Sequence, residues 1–179
     1  DGRILWRYVP ERRAVALISY ATGAAVIYAD GSFQPIAPDG TPGAFGSLPG
    51  TVTGGAFVAG DRVLVELADG LTAFDTGLSA ALWTLPDRRG VTDVVASADG
   101  RILGVMTRSA TGRGEVTVVD TATGTEIDRA ALREPGTIRP APISGLIAYT
   151  LGGLWQIDDQ GVWSLLIAAA AGGGSDGAL

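Results

Sequence analysis

Short apolar runs recur along the chain, and most of them end at a Gly, Pro or Asp. The stretch 115–120, Glu-Val-Thr-Val-Val-Asp, alternates apolar and polar residues at its start. This period of two is typical of a strand with one buried face. Asp99-Gly100 favours a tight turn between two such runs, because these residues readily take the positive φ of a short hairpin. No long run carries a helical period, so the pattern predicts an all-β chain.

Segment 91–131 predicts a complete unit of four strands, which we label A to D in chain order. Its strands are expected at 91–97, 101–107, 115–120 and 125–130. Segments 54–86 and 137–167 repeat this order of runs and turns. Segment 1–30 offers only three runs, at 3–8, 14–19 and 24–29, which we align with strands B, C and D. Its strand A would precede Asp1, so the first unit is expected to be incomplete.

Two short sequences occur twice in the same order. Asp-Gly-Arg-Ile-Leu stands at 1–5 and 99–103, and Ala-Thr-Gly follows at 21–23 and 122–124. Weaker copies of the first landmark begin near residues 60 and 144. Spacings of roughly 40 to 60 residues suit a blade-like unit of four strands. The expected organisation is four repeat units, a loop-rich insert at 31–53 with one extra strand near Phe33, and a flexible Ala/Gly-rich tail at 168–179.

Two stretches resemble known repeats. Ser-Ala-Asp-Gly-Arg-Ile-Leu at 97–103, followed by Val-Thr-Val-Val-Asp-Thr-Ala-Thr-Gly at 116–124, resembles the repeat of YVTN-type β-propellers. Leu-Thr-Ala-Phe-Asp-Thr-Gly at 71–77, with Trp83 after it, is similar to pyrroloquinoline-quinone-type (PQQ-like) propeller repeats. The first unit departs from the pattern, with Ser19-Tyr20 in place of Asp-Thr. The resemblance concerns fold and says little about activity, because propellers host many unrelated functions.

The resemblance implies a β-propeller of about four four-stranded antiparallel blades, the first of them incomplete. Such propellers usually close with more blades, so we expect the chain to be part of a larger propeller. The alternative is a structural subunit whose missing strand comes from the stretch after Val162 or from a second chain.

Several residue types are absent, which excludes whole classes of chemistry. The chain has no Cys, His, Lys or Asn, and all 13 of its basic residues are Arg. Disulfides, thiolate catalysis, histidine bases and Schiff-base lysines are therefore excluded. The formal net charge of −6 argues against binding of nucleic acid by the whole surface. No apolar run approaches the roughly 20 residues of a membrane span.

Arginines concentrate on one predicted face of the propeller. In an antiparallel blade the B–C and D–A loops share one face, and the A–B and C–D turns share the other. Seven arginines map to the B–C/D–A face, which makes it a candidate site for an anionic ligand or a protein partner. They are Arg12, Arg13, Arg88, Arg89, Arg108, Arg113 and Arg133. The alternative is that they are solvated and paired with nearby Glu11, Asp87 and Glu134.

Other candidate sites have simpler explanations. Asp158-Asp159-Gln160-Gly161 resembles part of a calcium loop but lacks the distal Glu, so a C–D turn is the better interpretation. The four tryptophans, at 6, 83, 155 and 163, fall in predicted strands and are expected to pack between blades. Carboxylate pairs such as Asp30 with Asp39 carry no supporting motif. We therefore assign no catalytic residue, no metal ligand and no cofactor.

The sequence favours a non-catalytic binding or scaffold module that recognises a protein or anionic ligand through its loop-face arginines. One alternative is a fragment of a propeller enzyme or cofactor-binding protein whose active residues lie outside this chain. The other is the subunit completed by strand exchange. YVTN-type and quinone-type repeats are frequent in exported proteins, so an extracytoplasmic or envelope location is expected, with the cytoplasm as the alternative.

Overall fold

The computed structural model describes residues 6–132, 137–142, 144–150 and 153–168. These residues form four antiparallel sheets of four strands, with consecutive strands as neighbours in each sheet. The all-β, blade-like architecture expected from the sequence is therefore present. None of the described segments forms a helix that is long and apolar enough to cross a membrane.

We number the sheets blade 1 to blade 4 in chain order. Blade 1 consists of β1 (Ala14–Tyr20), β2 (Gly23–Tyr28), β3 (Ser32–Ile36) and β4 (Gly46–Ser47). Blade 2 consists of β5 (Val52–Ala59), β6 (Arg62–Leu67), β7 (Gly70–Asp75) and β8 (Ala81–Pro86). Blade 3 consists of β9 (Val91–Ala96), β10 (Ile102–Arg108), β11 (Gly114–Asp120) and β12 (Glu126–Leu132). Blade 4 consists of β13 (Thr137–Pro140), β14 (Leu146–Thr150), β15 (Gly153–Ile157) and β16 (Trp163–Ala168).

The first strands of successive blades contact one another in series, from β1 to β5, β9 and β13. Three apolar clusters fill the spaces between neighbouring blades. In β10, Leu103 and Val105 face blade 2, whereas Ile102 and Met106 face blade 4. Both sets are buried because the middle strands of a blade are covered on both faces. This explains why such strands are continuous apolar runs rather than alternating ones.

Blade 1 differs from its expected form. It has four strands rather than three, since β3 and β4 come from the stretch 31–53 that was expected to be a loop-rich insert. The extra strand expected near Phe33 is β3. The contact of β1 with β5 identifies β1 and β2 as strands A and B, so their alignment with C and D was wrong. The run expected at 3–8 is not a strand in its described part, residues 6–8.

The outer face of blade 1 is covered by residues 6–13, which we call the strap. Val26 and Tyr28 on this face are buried together with Ala24 and Ile36. Tyr8 packs against them, and its hydroxyl donates a hydrogen bond to Gln34. Burial and the Tyr8 hydroxyl raise the pKa of Tyr28 to about 12. The strap therefore occupies the position that a neighbouring blade takes elsewhere in the molecule.

The tryptophans follow the packing expectation with one exception. Trp83 lies in β8 and packs between blades 2 and 3, and Trp155 and Trp163 pack between blades 3 and 4. Trp6 is not in a strand. It lies in the strap, where its indole N–H donates a 2.9 Å hydrogen bond to the Pro38 carbonyl. The expectation of a strand position for Trp6 was therefore wrong.

Candidate anion-binding cleft

A cleft of about 430 Å³ opens on the face formed by the B–C and D–A loops. One wall is the loop between β8 and β9, which contains Asp87, Arg88 and Arg89. The other wall is the loop between β10 and β11, with Arg108 at its start and Arg113 near its end. Four of the seven candidate arginines thus line a single space.

The first wall is fixed by a buried carboxylate. Glu66 faces blade 3 from the apolar strand β6, and it is buried. Its two oxygens accept hydrogen bonds from the backbone N–H groups of Gly90 and Val91, both at 3.1 Å. A buried carboxylate needs such donors to offset its lost hydration. Glu66 therefore holds the crossover between blades 2 and 3 in one position.

The two walls are tied to each other at their base. The backbone N–H of Arg108 donates a 2.9 Å hydrogen bond to the carbonyl of Gly90. A Cβ at position 90 would lie 2.6 Å from the carbonyl oxygen of Arg108, so only glycine permits this approach. This hydrogen bond therefore fixes the backbone at the base of the cleft in the absence of a ligand.

The second wall is a compact loop. Ser109 N–H donates to the carbonyl of Arg113 at 2.9 Å, and the Ser109 hydroxyl accepts from the Arg113 N–H at 3.2 Å. The hydroxyls of Ser109 and Thr111 are also hydrogen bonded, at 2.9 Å. Local side-chain bonds of this kind stabilise turns of Ser and Thr. They fix the backbone that carries Arg108 and Arg113.

Two of the cleft arginines already have partners. The Arg88 side chain is only 14% exposed, and its Nη2 donates a 2.7 Å hydrogen bond to Glu126. Its Nη1 is 4.0 Å from Glu115, and its buried Nε has no partner among the described residues. Arg89 donates a hydrogen bond to the carbonyl of Ala68. Both residues therefore brace the wall from which they project.

Arg88 belongs to a group of alternating charges with Glu115, Glu126 and Arg129. Arg129 binds Glu126 through Nε at 3.0 Å and through Nη2 at 2.6 Å. These hydrogen bonds lower the pKa of Glu126 and raise the pKa of Arg129. The group crosses from the blade 2–blade 3 loop to β12 and stabilises the first wall.

Arg108 and Arg113 differ from Arg88 and Arg89. Both are exposed at the mouth of the cleft, and neither forms a salt bridge within the described ranges. A guanidinium presents a planar set of donors that suits bidentate contact with a carboxylate or phosphate. Within the described ranges, the cleft therefore offers two arginines that form no salt bridge, on a loop whose backbone is fixed by hydrogen bonds.

The remaining candidate arginines lie apart from this cleft. Arg12 forms a 3.1 Å salt bridge with Asp30 and stacks over the rings of Tyr28 and Phe45 in blade 1. Arg13 is an exposed residue of the strap. Arg133 and Glu134 lie outside the described residues. Arg12 and Arg88 do not use the partners expected from sequence, Glu11 and Asp87, because residues of neighbouring strands approach them more closely.

Sequence reasoning missed Glu66, Glu115 and Glu126. Glu66 carried one usable signal, because it is the only charged residue in the apolar run Val63 to Leu67. The partnership of Glu126 with Arg88 joins residues 38 positions apart and has no local signature.

The other candidate sites behave as turns. The Asp158 carboxylate accepts hydrogen bonds from the N–H groups of Gln160 and Val162, both at 2.9 Å, between β15 and β16. Asp30 and Asp39 bind Ser32 and Thr41 in separate loops, and these bonds lower the pKa of each carboxyl. Within the described part of the chain, no three acidic side chains are grouped so that they could hold a metal ion.

Comparison with solved structures supports the fold. The chain matches BamB from Moraxella catarrhalis with a TM-score of 0.58 and 19% identity, covering 90% of this chain and 55% of that one. It matches KlHsv2 with loop 6CD replaced by a Gly-Ser linker. The TM-score is 0.61, the identity is 17%, and the match covers 85% of this chain and 56% of that one. It matches the computationally designed Ika4 protein with a TM-score of 0.57 and 14% identity, and the match covers 94% of this chain and all of Ika4.

These neighbours are β-propeller proteins, and the present chain has a β-propeller fold. It spans little more than half the length of BamB and of KlHsv2. No family model and no curated protein matches its sequence.

Proposed function

We propose that this chain is a non-catalytic binding module that holds an anionic group of its ligand between Arg108 and Arg113. The observation that carries the proposal is the contrast among the four cleft arginines. Arg88 and Arg89 are engaged with Glu126 and Ala68. Arg108 and Arg113 are exposed on a braced loop and form no salt bridge with any residue that the structure describes. Because the backbone of this loop is already held by hydrogen bonds, only the two side chains need to be ordered on binding.

The test is a titration of the isotopically labelled protein with glutamate, sulfate, inorganic phosphate and tripolyphosphate, followed by backbone amide NMR. We expect shifts at Gly90 and along 109–114, and their loss in the Arg108→Ala/Arg113→Ala double variant. Arg101→Ala is the matched control, because Arg101 is an exposed arginine at the opposite, A–B turn face. Shifts that persist in the double variant, or that never appear with any anion, would contradict the proposal.

The double variant at Arg108 and Arg113 is a sharper test than one at Arg88 and Arg89. Removing Arg88 would leave Glu126 and Glu115 without one of their cations and would disturb the wall itself. A loss of binding after that change would not separate a binding role from a structural one.

We also propose that the four blades are part of a larger propeller, on the basis of the outer face of blade 4. Tyr149 lies on the face of β14 that points away from blade 3, and it is 50% exposed. The corresponding faces of the inner blades are buried. A further blade would bury this face. Hydrogen exchange of the β14 amides in this chain and in the complete natural protein tests the proposal, since equal protection in both would contradict it.

We propose two finer assignments in addition, one for the type of repeat and one for the location. The YVTN-type and PQQ-like character of the repeats, and an extracytoplasmic location, are supported only by the motifs at 71–77, 97–103 and 116–124. Fractionation of the source cells with an antibody against this chain tests the location. Recovery in the cytoplasmic fraction alone would overturn it.

A further inference from the structure

The cleft has a limited capacity for negative charge. It is lined by four arginines and by the carboxylates of Asp87 and Glu115, so its formal charge is +2. Arg88 is already bound to Glu126. A compact polyanion would lie close to the two lining carboxylates and would be repelled by them. Two separate single charges suit the site better, one for each of the two arginines that have no salt bridge within the described ranges.

Arg108 and Arg113 stand at opposite ends of one hairpin loop. Arg108 pairs with Gly114 in the register of β10 and β11, so Arg113 follows the loop and precedes that pair. Their backbones are therefore neighbours, and their long side chains reach out separately from the two arms. In an extended peptide, side chains at positions i and i+2 lie on the same side, roughly 7 Å apart. Two flexible guanidinium groups on adjacent arms can engage carboxylates at this separation.

The rest of the cleft offers contacts that suit a peptide. Thr107, Ser109 and Thr111 line it with hydroxyl groups that can donate to, or accept from, peptide groups. The net charge of the chain is −6, which repels a long polyanion such as nucleic acid at a distance. A short acidic segment carries less charge and meets the chain only at the cleft.

We infer that the ligand of the cleft is an extended acidic segment of a protein, with carboxylates at alternate positions bound by Arg108 and Arg113. This inference rests on the proposed function, because it names the ligand of the same site.

The experiment measures fluorescence anisotropy of labelled, end-blocked hexapeptides with the intact chain. The probe is Glu-Ser-Glu-Ser-Glu-Ser, and Gln-Ser-Gln-Ser-Gln-Ser is the uncharged control. We expect saturable binding of the Glu peptide only. Arg108→Ala and Arg113→Ala should each weaken it roughly tenfold, the size expected for loss of one charge-assisted contact. Arg101→Ala should leave it unchanged.

Three competitors separate the possible outcomes. Displacement of the Glu peptide by inorganic phosphate or tripolyphosphate at lower concentration than by unlabelled peptide would overturn the inference and leave the proposed function standing. Binding of phosphate without any binding of the peptide would do the same. If none of the probes binds, both the inference of an acidic peptide ligand and the proposed function are overturned. Glu-Glu-Ser-Ser-Glu-Ser has the same composition and charge but no two Glu residues at positions i and i+2. If it binds as tightly as the alternating peptide, the spacing argument is overturned.

Discussion

Blades 1 and 3 contain the same tripeptide, Ala-Thr-Gly, at different points of their strand order. At 21–23 it joins β1 to β2 and forms the A–B turn of blade 1. At 122–124 it joins β11 to β12 and forms the C–D turn of blade 3. The repeated tripeptide therefore marks a turn in each blade but not the same turn.

The comparison teaches that the tripeptide marks a chain reversal without fixing a single backbone conformation. Gly23 and Gly124 both have positive φ, at 147° and 71°, and Ala and Thr tolerate the turn positions before them. Nothing in three residues specifies which strands the turn will connect. The position of a turn in the strand order depends instead on which apolar faces neighbouring blades cover. Those contacts join residues that are far apart in the chain.

The two blades also differ in what covers them. Blade 3 packs against blade 2 on one face and against blade 4 on the other. Blade 1 packs against blade 2 on one face and is covered by the strap on the other. A blade-to-blade contact and a strap are thus alternative solutions for burying the same kind of apolar surface.

The largest expected effect comes from the apolar core of blade 3. Leu103→Ala would leave a cavity between blades 2 and 3, where Leu103 is fully buried. We expect the free energy of unfolding to fall by about 2–5 kcal/mol. Leu17→Ala in blade 1 is the matched control, since Leu17 is 70% exposed. This substitution should change the free energy of unfolding by less than about 0.5 kcal/mol. Urea denaturation measures both, and equal losses would contradict the assigned faces.

The two glycines of the repeated tripeptide provide the second test. A Cβ at position 23 would overlap the backbone carbonyl of Ile36, which is held in the pairing of β2 with β3. A Cβ at position 124 would lie 2.5 Å from the ring of Trp83, which is a side chain rather than backbone. Both changes also impose positive φ on Ala, at a cost of about 1–3 kcal/mol. We expect Gly23→Ala to be the more destabilising in thermal denaturation; the reverse order would refute this reasoning.

The strap provides a smaller effect. Trp6→Ala removes the hydrogen bond to Pro38 and the contact of the ring with Gly40. Because Trp6 is 38% exposed, we expect a loss of about 1–2 kcal/mol rather than the value for a fully buried ring. Amide exchange should accelerate at Val26 and Tyr28 but not in blade 3. Acceleration throughout the molecule would mean that the strap is not a local cover.

The smallest effect concerns Asp120, which stands two residues before the Ala-Thr-Gly copy at 122–124. The copy at 21–23 has no Asp at this position. Asp120 accepts hydrogen bonds from the Thr123 hydroxyl at 2.8 Å and from the N–H groups of Thr123 and Ala122 at 2.8 and 3.0 Å. These bonds, with the Thr123 hydroxyl as the main cause, lower the pKa of Asp120 below its ordinary 3.8. Ser19 occupies the matching position in blade 1.

The sign of the pH effect follows from linkage. A carboxyl whose pKa is lower in the folded state stabilises the fold at pH values above its unfolded pKa. That stabilisation is lost as the pH falls from about 4 through the folded pKa. Asp120→Asn should therefore lower stability at neutral pH and flatten its decline below pH 4 in urea denaturation. An unchanged acid profile would show that these bonds do not stabilise the ionised carboxyl.

Much of the fold could be predicted from local signals. In blades 2 to 4 the strands begin and end close to the expected positions, since apolar runs bounded by Gly, Pro and Asp mark them directly. The phase of blade 1 could not be predicted, because the landmarks at 1–5 and 21–23 suggested the wrong alignment. Of the tail expected at 168–179, Ala168 is the last residue of β16, and the remainder lies outside the described residues.

The sequence alone predicted that the cleft arginines lie on the B–C/D–A face, because strand order places those loops on one face of any antiparallel blade. Arg12 and Arg13 lie in the strap before β1 rather than in the B–C loop to which the sequence assigned them. The sequence could not determine which arginines are engaged. The folded molecule brings Glu126 to Arg88 and the carbonyl of Ala68 to Arg89. Among the residues that the structure describes, it provides no salt-bridge partner for Arg108 or Arg113. The physical reason is the separation in sequence of the groups that interact. Hydrogen bonds within a turn join near neighbours in sequence. Ion pairs and packed apolar faces instead join residues that are close only in the folded molecule.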